Sequence, residues 1–99
     1  METNSHYEPG VQMRIQLTRH SEKRAKQRGI PRDAIKLIVA YGKRTHDGIG
    51  GLRILMTEES IREVRRAVGH TQGLDHLAGA YVVLDAETET NVITTGHRH

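Results

Sequence analysis

Met13, Ile15 and Leu17 alternate with Gln12, Arg14 and Gln16, the period-two pattern of a half-buried strand. The spacing then changes. Thr18 offers a hydroxyl to cap a helix running through about Gln27, with Arg28 in its last turn and Gly29 placed to end it in a left-handed conformation. That helix is almost entirely polar. Its one small or apolar stripe is Leu17, Ser21 and Ala25, so it must approach its neighbour closely through small side chains. Ile30 and Pro31 open a second helix, with Pro31 at the first helical position, where a missing N–H costs nothing. Ala34, Ile35, Ile38 and Val39 give this helix a core-facing stripe, and Gly42 stops it.

Residues 43–47 and 52–56 flank Gly48-Ile49-Gly50-Gly51, whose glycines allow the positive φ that a hairpin connection needs. Thr57 then precedes Glu58 and Glu59, acids suited to a helix N-terminus, and Ile61, Val64 and Val68 repeat at helical spacing up to Gly69. Residues 70–79 mix glycine with polar residues and predict an irregular connection. Residues 80–84 (AYVVL) and 91–95 (NVITT) are β-rich and close the chain as a hairpin, with 91–95 a candidate exposed edge strand. The order strand, helix, helix, hairpin, helix, hairpin predicts an α+β fold: an antiparallel sheet with about three helices on one face and a second face open for binding. Residues 1–10 lack periodicity and end in Pro9-Gly10, so they read as a disordered lead-in to a single domain over 11–99.

Composition narrows the chemistry. The 99 residues are 35% hydrophobic with no Phe, Trp or Cys. The core must therefore be aliphatic, and disulfides, thiolate metal sites and cysteine nucleophiles are excluded. No signal peptide or apolar span is visible, so a cytoplasmic protein without membrane contact is expected. The formal charge of +3 is unevenly spread. Arg14, Arg19, Lys23, Arg24, Lys26, Arg28 and Arg32 fall in one stretch with a single acid, Glu22. A basic stripe of this kind is the footprint of a polyanion-binding surface, or else a solvated helix face. Arg14, Arg19, Lys23 and Lys26 are the candidate nucleic-acid-binding residues. The Arg62, Arg65 and Arg66 cluster is offset by Glu58, Glu59 and Glu63 and reads as surface.

The run His20-x-x-x-Arg24-x-x-x-Arg28-Gly29-Ile30, the helix ending in Tyr41-Gly42, and the closing Tyr81-Val82-Val83-Leu84 and Val92-Ile93-Thr94-Thr95 resemble the uncharacterised bacterial family called domain of unknown function 4258. The likeness spans roughly residues 15–96. The family has no assigned activity. Its helix-then-sheet order is similar to that of small ribonuclease toxins of the RelE and BrnT groups, a fold-level analogy.

His20, Arg24 and Arg28 are spaced by four, so on a helix they form one edge stripe. Metal-independent RNA cleavage needs a base for the 2′-hydroxyl proton, a cation for the phosphate oxygens and an acid for the leaving oxygen. Imidazole suits the base and guanidinium the phosphate. The catalytic candidates are thus His20, Arg24 and Arg28, joined by Arg53, taken to lie on the central strand, and His97, taken to lie just beyond the last one. The same three helix residues also suit a purely structural role, with Arg stems covering Leu17 or Ile30. His70, His76 with Asp75, His97 and His99 are ligand types for zinc, but none has helical i, i+4 spacing, so neither metal nor cofactor is expected. Gly48, Gly50 and Gly51 precede no P-loop lysine, and Ser21 and Ser60 have no inferable triad partners. Tyr7, Tyr41 and Tyr81 are too scattered for a base-stacking platform. Three readings follow: a ribonuclease toxin-like enzyme acting on RNA, a non-catalytic module binding nucleic acid or an acidic antitoxin-like protein, and a domain whose basic helix is only surface. The oligomeric state is left open.

Overall fold

The computed structural model describes residues 15–69 and 73–98. Met13 and Arg14, expected on the first strand, lie outside them, as do His70 and His99. The elements run β1 (Gln16–Leu17), α1 (Arg19–Arg28), α2 (Arg32–Tyr41), β2 (Lys43–His46), β3 (Gly51–Leu55), α3 (Glu58–Val68), a 3-10 helix (Leu74–Leu77), β4 (Ala80–Asp85) and β5 (Asn91–His97). Among the described residues the class is α+β, with three α-helices and one five-stranded sheet in the order β1-β5-β4-β3-β2.

The sheet is mixed, which corrects the antiparallel expectation. β1 runs parallel to β5, with Gln16 opposite Asn91 and Leu17 opposite Val92. Parallel pairing needs a long crossover and leaves no local turn signal in the sequence. Here the crossover is nearly the whole domain. β5 is consequently an interior strand and not the edge strand expected, and β3, carrying Arg53, stands one strand in from the β2 edge, so Arg53 is not on the central strand.

Helix ends follow local chemistry. Thr18 Oγ1 accepts the Ser21 backbone N–H at 3.0 Å, and Thr57 Oγ1 accepts that of Ser60 at 3.0 Å, so two Thr-x-x-Ser sequences start α1 and α3 in the same way. Gly29 closes α1 in the left-handed region (φ 67°), and Ile30 N–H donates to the Ala25 carbonyl at 2.9 Å. Pro31 is the N-cap of α2 and not its first helical residue. Arg32 Nη2 donates to the Ile15 carbonyl at 2.8 Å and ties the start of α2 to the strand edge. The connection expected to be irregular contains the 3-10 helix, seated by buried Leu74 and Leu77.

The core is aliphatic, as composition requires. Ile35 and Ile38 of α2, Leu52 and Ile54 of β3, Val82 and Leu84 of β4, Val64 of α3, Met56 and Val92 are all fully buried. Val68, expected to share the stripe of α3, is exposed at 56%. α2 packs over β3 and β4, α1 lies along β5, and α3 packs on α2 and the 3-10 helix. α1 achieves its close approach through buried Ser21 and Ala25. The opposite sheet face carries exposed Thr45 and Arg53, with Val83 half-buried beside them.

Candidate nucleic-acid interface

α1 presents two kinds of surface. At about 100° per residue, Arg19, Lys23 and Lys26 fall within roughly 60° of one another and opposite Ser21 and Ala25, the buried stripe. All three are exposed and none makes an ion pair among the described residues. They form a basic ridge about 10 Å long at 1.5 Å per residue. Arg14, grouped with them by sequence, lies outside the described residues. His20, Arg24 and Arg28 sit between the ridge and the buried stripe. His20 is exposed in the first turn, and Arg24 is half-buried. The Nε of Arg24 is buried and has no hydrogen-bond partner among the described residues, so it is closed to the side-on grip of a phosphate through Nε and Nη.

Arg28 has a different setting. It lines an open groove of about 560 Å³ between the C-terminus of α1, the N-terminus of α2, the 3-10 helix and the end of β5. His76 and His97 line the same groove, beside an apolar wall that includes Pro31, Ala34 and Leu37. His20 and Arg24 do not line it. The five catalytic candidates therefore do not converge on one cleft: Arg28 and His97 share the groove, and the others stand elsewhere.

His97 belongs to β5 itself and does not lie beyond the last strand as expected. It pairs with Ala80, and the next residue continues the ladder, Arg98 N–H donating to the Gly79 carbonyl at 2.7 Å. A β-bulge decides which way it faces. Val83 pairs with Thr94 and Leu84 with Val92, leaving Ile93 as the extra residue. The alternation is thereby reset, so that Thr95 pairs with buried Val82 and His97 with buried Ala80 on the helix-covered face. Arg53 pairs with Val83, on the other face. A single small ligand cannot touch both.

The sequence marks His76 only as a metal-ligand type, yet it lines the groove. Its position is fixed by buried Leu74 and Leu77 on either side and by the Arg65–Asp75 ion pair that ties the 3-10 helix to α3. The fold, in a way invisible along the chain, places His76 and Arg28 on the wall of one groove. Among the described residues no group of three His, Asp or Glu side chains is arranged to hold a metal ion. No described helix is long and apolar enough to cross a membrane.

Among the described residues, Asp47 and Arg44 have displaced pKa values, and neither lines the groove. Asp47 is held below the usual carboxylate range because its Oδ1 accepts the backbone N–H groups of Ile49 and Gly51, each at 2.8 Å. The Arg44 guanidinium is lowered by burial, which outweighs the opposing effect of Glu89. Comparison of the chain with family models, curated proteins and solved structures returns no match.

Proposed function

We propose that this protein binds RNA by gripping its phosphate backbone with α1. The reading is supported chiefly by Arg19, Lys23 and Lys26, which stand together, exposed and without acidic partners among the described residues, on the side of the helix facing away from the sheet. Cations left unpaired on one ridge release condensed counterions when phosphates replace them, which drives association without reading sequence. The resemblance to the domain of unknown function 4258 family, and through it to RelE- and BrnT-type ribonuclease toxins, is what favours RNA over other polyanions. Fluorescence anisotropy with a labelled single-stranded RNA tests it. The Lys23→Gln/Lys26→Gln double variant should bind several-fold more weakly with unchanged folding, and equal binding by both proteins would remove the reading.

A second reading, metal-independent RNA cleavage, has one observation in its favour: Arg28 and His97 line the same groove. Incubation of RNA with the protein in EDTA decides it. Loss of cleavage in His97→Gln would favour the groove, and loss in His20→Ala would favour the helix stripe.

A further inference from the structure

We infer that the groove between α1, α2, the 3-10 helix and β5 is a binding site for a phosphomonoester, either a free nucleotide or the phosphorylated end of an RNA strand. Among the described residues, its charged and titratable lining groups are Arg28, His76 and His97, drawn from three separate elements, with no carboxylate in the lining. Such a set is complementary to an anion and repels none. The number of donors selects the kind of phosphate. Guanidinium offers five N–H donors and each imidazole at least one in either protonation state. An internal phosphodiester has two non-bridging oxygens to receive them, whereas a monoester has three strong acceptor oxygens and close to twice the charge. The groove therefore matches a terminal phosphate better than a backbone one.

The rest of the lining fits the remainder of a nucleotide. Pro31, Ala34 and Leu37 give an apolar wall beside the three basic groups, and about 560 Å³ is within the size of small-molecule sites. The wall suits a base or ribose laid flat. Each group stands on a defined element: His97 in the β5 ladder, His76 in a turn between buried leucines, and Arg28 at a helix end closed by Gly29. Pro31 and Ala34 bring the first turn of α2, which has no side-chain cap, to the groove wall.

The free-nucleotide form of the site stands apart from the RNA reading above, and the strand-end form rests on it. Isothermal titration with adenosine 5′-monophosphate, and with adenosine as its phosphate-free counterpart, tests the first. The monophosphate should bind at least tenfold more tightly than adenosine, and His76→Gln and His97→Gln should each weaken it about tenfold, the scale of one charge-assisted hydrogen bond. Arg62→Gln, on α3, should leave it unchanged. Short RNAs with and without a 5′-phosphate then tell the sources apart: a phosphate-dependent gain lost in His97→Gln assigns the strand end, and no gain assigns the free nucleotide. Hydroxyl-ended RNA that loses affinity in the Lys23→Gln/Lys26→Gln variant reports on the ridge alone, so the two readings fail separately. Monophosphate binding no tighter than that of adenosine, or undiminished in both histidine variants, overturns the site.

Discussion

The guanidinium carbon of Arg53 stands 5.0 Å from the centroid of the Tyr81 ring, on the sheet face opposite His97. The ring is also in contact with β5, where a Cβ at Gly96 would lie 2.9 Å from Tyr81 Oη. Arg53, Tyr81 and Gly96 thus form one arrangement across three strands. Arg53→Ala should lower stability by about 0.5–1 kcal/mol, the value of a solvent-exposed cation–π pair. Gly96→Ala should displace the ring and remove much of the effect of Arg53→Ala. A double-mutant cycle by urea denaturation measures that coupling, and strictly additive losses would show that the contact contributes nothing.

Gly42 and Gly29 end successive helices for different reasons. Gly42 has φ −71°, which any residue adopts, but a Cβ there would meet Ile54 Cγ2 at 2.5 Å and the Ile38 carbonyl at 2.6 Å. Gly29 has open space around it and a left-handed φ of 67°. Gly42→Ala should cost about 1–3 kcal/mol as an overpacked contact between α2 and β3. Gly29→Ala should cost about 1–2 kcal/mol from backbone conformation alone. Gly29→Asn should recover part of the second loss, because Asn tolerates the left-handed region, whereas Gly42→Asn should be worse than Gly42→Ala. Thermal melts of the four variants check the ordering.

The β2–β3 turn makes acid stability depend on Asp47. Its carboxylate accepts the Ile49 and Gly51 N–H groups more strongly than the neutral acid would, and those bonds hold its pKa below the ordinary value near 4. A depressed folded-state pKa gives stability that is present in full above the unfolded value and lost as pH falls through the folded one. The melting temperature should therefore drop more as pH falls below about 4 in the parent than in Asp47→Ala, which begins lower and changes less. Parallel curves for the two proteins would contradict this account of the turn.

Thr18 and Thr57 make matching caps, and each should cost about 1 kcal/mol when changed to Ala. The effects should add, because the caps belong to different helices and share no partner. Chemical denaturation of the two single variants and the double variant measures this.

Much of the architecture could be read along the chain because it is set by near neighbours. The caps at Thr18 and Thr57, the stripe Ala34, Ile35, Ile38 and Val39, and the glycine turn before Leu52 each declare themselves within a few residues. What escaped was long-range. The parallel pairing of Leu17 with Val92 has no local signature. The bulge at Ile93 is subtler: counting by twos from Val92 would place His97 on the open face, and one extra residue turns it to the helices. His76 could not be paired with Arg28 while its segment read as irregular. The edge stripe of His20, Arg24 and Arg28 was correctly read as a periodicity, but position around a helix does not reveal which tips meet a cleft. Of the three, Arg28 lines the groove shared with His76 and His97.

The central claim is that the α1 ridge holds RNA phosphates, and the salt dependence of binding tests it most directly. For single strands the logarithm of affinity falls with the logarithm of salt by about 0.7 per neutralised phosphate, so three ridge contacts predict a slope near −2 between about 50 and 200 mM salt. Lys23→Gln/Lys26→Gln should shift that slope to about −0.7. A parent slope near zero, or one that the double variant leaves intact, would contradict the account.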